Sequence, residues 1–417
     1  MTKEISTNCG IMSHSLEFIF HPQSIALVGI SIADPDHWTR TFLDSLLEFQ
    51  FEGPIYPINP RGGKIEGLRV FPSLEDIPGT VDYVIGTVPA QAVPELVEEC
   101  ACKRVKVIHL CTAGFSETGE KEGARLEAEL AQSAKKTGIR IIGPNCMGIY
   151  CPKSRLSFAI DFPKESGPVG FISQSGGNAT HLARQAKWRG VRFSKVISYG
   201  NACDLNESDF LEYLASDADT KIIALYIEGV QDGKRFRQAL DKAVKEKVVI
   251  LLKGGVAEGG ARAAAGHTGS LTGNEITWDS LCKQLGIIRV HSLEELTDIL
   301  VTLSFMSLPE GRRVALIGAG GGSSVLITDD FEKRGLRIPP LPQEIRDRIR
   351  EFTPIAGNIL RNPIDYSQNF IETKKLTKAV GYVSEWEGID FIVAFLSSGQ
   401  ILPKMRAGIY QAMETML

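Results

Sequence analysis

Short runs of apolar residues alternate along the chain with longer stretches in which apolar residues recur at helical spacing. Strands that alternate with helices in this way predict parallel sheets covered by helices. In the N-terminal part, helical patterns lie over residues 90–102 and 121–136. The strand-sized runs of this part are SIALVG, GPIYPI, DYVIGTV, VKVIHLC and IRIIG, at residues 24–29, 53–58, 82–88, 105–111 and 139–143.

Two further groups of strand-sized runs follow. The last group opens with VALIG at 314–318 and stops inside a helical pattern, with too few strands for a complete doubly wound sheet. This favours a truncated or shortened last domain. We therefore expect an α/β protein with three domains, over residues 16–150, 151–308 and 309–417. The runs of the middle group are VGFIS, FSKVIS, IIALYI and VVILLK, at residues 169–173, 193–198, 222–227 and 248–253.

Composition and charge narrow the function classes. The 417 residues carry a net charge of −4, which gives no general attraction to nucleic acid or to an anionic membrane. The longest apolar runs are far too short to span a membrane, and the first twenty residues lack the sustained apolar stretch of a signal peptide. The eight cysteines show no disulfide or zinc-ligand pattern. We expect a cytoplasmic protein with no metal site and no nucleic-acid or membrane partner.

Three glycine turns follow strands, where doubly wound folds bind phosphate groups. Gly29 and Ser31 end the first strand, but a full GxGxxG is absent, so a plain strand–helix turn is equally consistent. GAGGGSS, at residues 318–324, is consistent either with anion binding or with tight packing of the backbone. The strongest of the three is SQSGG, which opens a predicted helix. It predicts a phosphate or oxyanion site at the residues Ser173, Ser175, Gly176 and Gly177.

A Gly/Ala-rich segment, KGGVAEGGARAAAGHTGSLTG, covers residues 253–273 and contains one histidine, His267. Glycine gives the backbone freedom to move and to approach a ligand closely. An imidazole can accept a phosphoryl group, so the segment suggests a phosphorylatable histidine, with an ordinary surface loop as the alternative. Glu228 directly follows the strand IIALYI and is placed either to orient an imidazole or to lie on the surface as an ordinary acid.

Several further turns end neighbouring predicted strands. TVPAQAV covers residues 87–93, CTAGFSETG covers 111–119, and GPNCMG covers 143–148. Because the carboxyl ends of parallel strands meet at one edge of a sheet, these turns are expected to line one crevice. This shared edge is more specific than any single motif.

The ordered motifs resemble those of a known family. VGIS, YPINP, TVPA, TAGFSETG, GPNCMGI, SQSGG, SYGNACDLNESDFLEYL, YIEG and GHTGSLTG closely resemble the alpha portion of the nucleoside-diphosphate-forming acyl-CoA synthetases. These are the ADP-forming acetate–CoA ligases, relatives of succinyl-CoA synthetase. The resemblance is dense over residues 18–308 and looser beyond, where IGAGGGSS and NPIDY resemble an additional ligase domain.

The resemblance implies a Rossmann-like CoA-binding domain followed by two flavodoxin-like domains, the last one possibly incomplete. It implies that His267 carries the phosphoryl group and that Glu228 supports it. Phosphate would be bound by Ser173, Ser175, Gly176, Gly177, Gly266, Thr268 and Gly269. CoA would be contacted by Gly29, Ser31, Asn59, Pro60, Arg61, Val88, Pro89 and Gly114, with Asn145 and Cys146 near the thioester.

The reaction implied by the family is a relay. Phosphate attacks an acyl-CoA to give acyl phosphate and CoA, the histidine takes the phosphoryl group, and ADP becomes ATP. The sequence contains no pattern for the ATP-grasp domain that would bind ATP or ADP and Mg²⁺ in this family. A partner subunit or a fused domain is therefore expected to supply that half, and an oligomer is expected.

Two other function classes are considered. The segment IADPDHWTR, at residues 32–40, replaces the glycine-rich turn common in the family, and Trp38 could obstruct the CoA site. A catalytically impaired CoA-binding or regulatory protein of the same fold therefore stays the alternative, although the intact GHTGS and Glu228 oppose it. The second is a nicotinamide-dependent dehydrogenase. It would need an acidic residue after the second strand to hold the ribose of the cofactor, but the chain has YPINPRGG there, which disfavours this class.

Overall fold

The computed structural model describes residues 16–260, 274–318, 320–353, 356–366 and 373–395. The chain divides into two compact units, Met1–Met306 and Ser307–Leu417, and each is described by itself. In the described part of the chain, every helix is too short or too polar to cross a membrane.

The first sheet of the N-terminal unit is parallel, in the order β2-β1-β5-β6-β7, with a separate β3-β4 hairpin. The chain leaves β1 toward β2 and later returns to pair β5 on its other side. The carboxyl ends of β1 and β5 therefore border a crevice of the kind that binds ligands in open α/β sheets. The strands are β1 (Ile25–Val28), β2 (Ile55–Ile58), β3 (Gly63–Ile65), β4 (Leu68–Val70), β5 (Tyr83–Gly86), β6 (Val107–Leu110) and β7 (Arg140–Ile142). The helices are α1 (Glu17–Phe20), α2 (Arg40–Glu48), α3 (Val93–Cys102) and α4 (Lys121–Thr137).

The second sheet of this unit has the order β13-β12-β11-β9-β10-β8, in which only the edge strand β8 is antiparallel to its neighbour. Its strands are β8 (Gly148–Tyr150), β9 (Val169–Ser173), β10 (Phe193–Ser198), β11 (Ile222–Ile227), β12 (Val248–Lys253) and β13 (Ile288–Val290). Its helices are α5 (Gly176–Trp188), α6 (Glu207–Ser216), α7 (Gly233–Glu246), α8 (Glu275–Leu285) and α9 (Leu293–Phe305). Most residues of these strands are apolar and buried, because helices cover both faces of a parallel sheet.

Side chains in the loops before these helices fix where the helices begin. Asn206 accepts a hydrogen bond from the N–H of Ser208, and Asp209 accepts one from the N–H of Asn206, which forms a capping box for α6. Asp232 caps α7 in a similar way. Caps of this kind satisfy N–H groups that have no partner within a helix.

A short segment of the second domain, residues 201–205, pairs with the free edge of the first sheet. The N–H groups of Asn201, Cys203 and Leu205 donate to the carbonyls of Pro144, Gly143 and Ile141, at 3.0, 3.0 and 3.1 Å. Next to this ladder, the Arg140 guanidinium contacts Asp204 at 2.9 and 3.2 Å, and the N–H of Ile141 donates to the same carboxylate. The two sheets of the unit are thus joined by main-chain hydrogen bonds.

The C-terminal unit contains a smaller sheet, in the order β15-β16-β14-β17. Its strands are β14 (Val314–Gly318), β15 (Ile359–Leu360), β16 (Ile364–Asp365) and β17 (Phe391–Phe395). Its helices are α10 (Gly321–Lys333), α11 (Gln343–Arg350) and α12 (Thr373–Ser384). The prediction of an α/β protein with parallel sheets is therefore confirmed.

One buried ion pair supports the second sheet. Lys195 Nζ lies 2.8 Å from Asp217 Oδ2, with side chains only 1% and 8% exposed. Thr220 also donates to this carboxylate, at 2.6 Å. Burial alone would raise the pKa of Asp217, but the bonds from Lys195 and Thr220 lower it.

We predict that Lys195→Met lowers the free energy of unfolding by about 3 kcal/mol, because it leaves a buried carboxylate without its cation. Lys195→Met combined with Asp217→Leu should recover most of this loss, since burying neither charge is close to neutral. Denaturant unfolding of the two variants measures both values. Equal losses in the single and the double variant would contradict this explanation.

Candidate functional site

The SQSGG turn forms the junction between β9 and α5. The Ser175 hydroxyl accepts a hydrogen bond from the N–H of Asn178, so Ser175 caps the helix. The Ser173 hydroxyl is buried and donates to the Ser175 carbonyl at 2.7 Å. The Ser173 hydroxyl therefore shapes the turn, whereas the Ser175 hydroxyl keeps its own hydrogen to donate. An anion at this turn would be held by the N–H groups at the start of α5.

Position 176 requires glycine, because the side chain of Met147 approaches it closely. A Cβ on this residue would lie 2.7 Å from Cγ of Met147, which belongs to the GPNCMG turn. The N–H of Met147 also donates to the Ser198 hydroxyl at the end of β10, at 3.0 Å. The turn predicted to lie near the thioester therefore contacts the start of the predicted phosphate-binding helix.

Glu228 follows the end of β11 and is only 4% exposed, which excludes the reading as a surface acid. The Tyr226 hydroxyl donates to its Oε1 at 3.1 Å. Gln174 fixes the local backbone, because its side-chain oxygen accepts from the N–H groups of Glu228 and Gly229 at 2.7 and 3.1 Å. Gln174 was missed in the sequence, although it lies inside SQSGG.

Lys253 ends the neighbouring strand β12, opposite Ile227 in the ladder, and is also 4% exposed. Its Nζ donates to the carbonyl oxygens of Glu228, at 2.6 Å, and of Gly254. The ammonium lies 5.4 Å from the ring centre of Trp278, on α8. Burial lowers its pKa to about 8, with a further lowering from Arg289 and an opposing effect from Glu228. A lysine that ends an apolar strand was the signal that could have identified it.

The second part of the Gly/Ala-rich segment lies outside the described residues. This applies to residues 261–273, and therefore to the predicted residues Gly266, His267, Thr268 and Gly269. Residues 253–260 of the segment are described. Asn274, directly after the segment, caps α8 by accepting from the N–H of Ile276 at 2.8 Å.

The crevice of the first sheet begins at Gly29, which has a φ of +88°. A Cβ at this position would lie 3.0 Å from Thr87 Oγ1, so glycine permits the contact between the turns after β1 and β5. The N–H of Ser31 donates to Thr39 Oγ1 at 3.1 Å, within the unusual segment 32–40. Trp38 of this segment is 53% exposed, so its ring is not part of the core.

The neighbouring predicted CoA contacts lie on turns at the same edge. The Asn59 side chain donates to the Ile30 carbonyl at 3.0 Å and accepts from the N–H of Arg61 at 3.1 Å. This arrangement leaves Pro60 and Arg61 exposed beside the crevice. Val88 and Pro89 follow β5, and the Thr112 hydroxyl donates to the Val88 carbonyl at 2.7 Å.

Gly114, Asn145 and Cys146 follow β6 and β7. Gly114 and Asn145 adopt positive φ angles of +109° and +58°. The N–H of Gly114 donates to Glu117 Oε1 at 2.6 Å. Cys146 is 3% exposed, and its thiol points to the Leu110 carbonyl at 3.6 Å. Burial raises its pKa well above the usual range, so the thiol is neutral, and any ligand contact at this turn would be made by Asn145 or by the backbone.

The third glycine turn is occupied by a side chain of the protein. Gly320, at the start of α10, donates its N–H to Asp365 Oδ1 at 2.9 Å. The second carboxylate oxygen lies 3.3 Å from where a Cβ of Gly321 would be. Of the two readings of GAGGGSS, the structure therefore favours tight local packing.

A further buried carboxyl belongs to a helix that packs on the second sheet of the N-terminal unit, and it was not singled out in the sequence. Glu207, at the first position of α6, is 4% exposed. Burial raises its pKa to about 7; Asp209 adds to the rise, while its own backbone N–H and Arg235 oppose it. Burial raises the pKa of the Tyr199 hydroxyl well above its usual value, and the nearby carboxyls of Glu207 and Glu228 raise it further.

Comparisons with known proteins agree with this geometry. The family "CoA binding domain" matches residues 23–152, and the family "Succinyl-CoA ligase like flavodoxin domain" matches residues 166–303. Acetate–CoA ligase [ADP-forming] II subunit alpha of Pyrococcus furiosus is 39% identical over 366 residues, which cover 87% of this chain and 79% of the relative. The I subunit alpha of the same organism is 37% identical, with 84% and 76% covered.

A solved structure also matches closely. The dinucleotide-forming acetyl-coenzyme A synthetase 1 of Ca. Korarchaeum cryptofilum, in complex with phosphate and ADP, gives a TM-score of 0.84 at 32% identity, with 96% of this chain and 86% of that chain covered. The chain thus belongs to the ADP-forming acyl-CoA synthetases, which are acid–thiol ligases, and it corresponds to their alpha subunit. By contrast, it spans 55% of the longer acetate–CoA ligase [ADP-forming] I of Archaeoglobus fulgidus, at 34% identity.

The raised pKa of Glu207 predicts a dependence of stability on pH. The unfolded carboxyl titrates near 4.5 and the folded one near 7, so the folded state binds more protons between these values. The contribution of Glu207 is fully present below pH 4.5 and is lost as the pH rises through 7. We expect Glu207→Gln to remove this decline and to be more stable than the unaltered chain by about 2 kcal/mol at pH 8.

Thermal unfolding between pH 4.5 and 8 measures this effect. Glu212→Gln, on the more exposed side of the same helix, is the matched control and should leave the pH profile unchanged. A Glu207→Gln profile parallel to that of the unaltered chain would show that this carboxyl does not titrate as described.

Proposed function

We propose that the chain forms acyl-CoA from a carboxylic acid, CoA and ATP, with ADP and phosphate as products, through an acyl phosphate and a phosphohistidine. The observation that carries the proposal is the contact between two turns: GPNCMG, at the crevice of the CoA-binding domain, packs through Met147 on Gly176 at the start of α5. A thioester in the crevice and a phosphate at the start of the helix would lie side by side. Attack of the phosphate on the thioester carbonyl requires this proximity.

The assigned roles follow the positions of the residues. CoA would lie along the turns of Gly29, Asn59, Val88 and Gly114, with Asn145 near the thioester. The N–H groups at the start of α5 would hold phosphate, because the end of the helix dipole favours an anion. We assign the phosphoryl carrier to His267 and further phosphate contacts to its neighbours Gly266, Thr268 and Gly269.

Glu228 is assigned to the support of the phosphorylated imidazole. Its buried carboxylate is held by Tyr226, while Gln174 and Lys253 hold its main chain, so little reorganisation is needed when a charged imidazole arrives. A buried, oriented carboxylate at this position supports a working enzyme over the impaired alternative.

The second half of the reaction requires a nucleotide and Mg²⁺ held by carboxylates beside the phosphates. We assign this half to an ATP-grasp beta subunit or fused domain, which implies an oligomer. The Pyrococcus relatives are named as alpha subunits, and the Archaeoglobus relative is a longer single chain. We also propose residues 16–150, 151–308 and 309–417 as the domains. The acid could be acetate, the substrate named for these relatives.

The proposed phosphohistidine can be tested by labelling. Incubation of the chain with acyl-CoA and labelled phosphate, with its partner subunit present, should yield an acid-labile, base-stable phosphate on the peptide that contains His267. Two variants are compared with the unaltered chain, His267→Ala and Glu228→Gln. The first should abolish labelling, and the second should slow it by about a hundredfold, because the imidazole loses its carboxylate.

His291→Ala is the matched control, since His291 is an exposed histidine of the same domain. It should be labelled like the unaltered chain. Undiminished label in His267→Ala would refute the assignment of the carrier.

A further inference from the structure

Asn201 is the hub of a hydrogen-bond cluster between the two domains of the N-terminal unit. Its side-chain nitrogen lies 2.6 Å from Glu117 Oε2 and 2.8 Å from Glu127 Oε2, and both of these carboxylates belong to the CoA-binding domain. The residue is 3% exposed. Since a carboxylate only accepts hydrogen bonds, the orientation of the amide is fixed, with the NH₂ group facing the two acids.

The two carboxylates in turn shape the TAGFSETG turn. Glu117 accepts from the N–H groups of Gly114 and Phe115, at 2.6 and 3.2 Å. Glu127 accepts from the N–H and hydroxyl groups of Ser116, at 3.2 and 2.7 Å. Three consecutive N–H groups of the turn are thus directed at two acids. Within the described residues, the donors seen at these acids are all neutral, so the two bonds from Asn201 offset much of their mutual repulsion.

Asn201 is also connected to the GPNCMG turn. Its N–H donates to the Pro144 carbonyl at 3.0 Å, and its side-chain oxygen accepts a longer bond from Asn145 at 3.4 Å. One residue of the phosphate-binding domain therefore contacts both the TAGFSETG and the GPNCMG turns of the proposed CoA crevice. The backbone is in the left-handed region at one residue of each turn, Gly114 and Asn145, which are residue types that adopt it readily.

We infer that Asn201 is a positioning residue for CoA, which sets the TAGFSETG and GPNCMG turns of the crevice from the neighbouring domain. The inference rests on the proposed function, because it takes the crevice to be the CoA site. Asn201 does not contact the reacting atoms. It acts through Glu117, Glu127 and Asn145, and so couples the shape of the CoA crevice to the docking of the phosphate-binding domain.

The test measures CoA binding to the full-length chain by calorimetry. Asn201→Asp keeps the size of the side chain but places a third carboxylate between the other two, so the dissociation constant for CoA should rise at least about tenfold. Asn201→Ala removes the donors without adding charge and should raise it about threefold to tenfold. The second variant keeps the test informative if the first does not fold.

Arg140→Gln is the matched control. It breaks the ion pair with Asp204 in the same domain contact, but leaves the Asn201 cluster intact. It should lower the melting temperature while the dissociation constant for CoA changes less than about twofold. Labelling of His267 by acetyl phosphate, which needs no CoA, should stay within about twofold of the unaltered rate in Asn201→Ala, whereas general damage to the fold would reduce it.

Two results would overturn the inference while leaving the proposed function standing. One is CoA binding by both Asn201 variants within about twofold of the unaltered chain. The other is an equal loss of CoA affinity in Arg140→Gln, which would reduce Asn201 to one of several interchangeable docking contacts. If the unaltered chain does not bind CoA, the proposed function itself fails, and this inference fails with it.

Discussion

The N-terminal unit depends on the pairing of residues 201–205 with the open edge of the first sheet. An edge strand presents unpaired main-chain groups, and β7 would leave such a row in water or available to another chain. The segment covers this edge with main-chain bonds and places Asp204 on Arg140. Because main-chain hydrogen bonds require a narrow range of distances and angles, they fix the position of the second domain relative to the first sheet. The GPNCMG turn, the start of α5 and the TAGFSETG turn are brought together as a result.

Buried polar groups set the chemistry on the second sheet. Glu228 and Lys253 end adjacent parallel strands, and each is nearly inaccessible to solvent. Burying charges is costly unless their hydrogen bonds are satisfied, and here the Tyr226 hydroxyl donates to the Glu228 carboxylate while two carbonyls accept from the Lys253 ammonium. Groups held in this way need little rearrangement during a reaction, which is the electrostatic advantage of a preorganised site. The lowered pKa of Lys253 and the raised pKa of Glu207 have the same cause, which is burial.

The α/β architecture and the shared edge of turns could be predicted because they depend on local patterns. Apolar runs of strand length become strands, and glycines such as Gly29 mark turns with positive φ. The role of Asn201 could not be predicted from local patterns, because this residue bonds to Glu127 and Glu117, which are 74 and 84 residues away in the sequence. Gln174 likewise meets Glu228 across 54 residues. The directions of the Ser173 hydroxyl and the Cys146 thiol could not be predicted either, since burial and the nearest acceptor decide where a side chain points.

We propose that this chain performs the acyl-CoA half of a relay and passes a phosphoryl group to a partner. The most direct measurement is CoA release by the isolated, contaminant-free chain in the presence of acyl-CoA, phosphate and ADP. We predict a burst of about one equivalent per chain and no ATP, because a phosphorylated carrier without an acceptor stops the reaction. An added ATP-grasp subunit should then restore continuous turnover. Sustained ATP formation by the isolated chain would contradict this account.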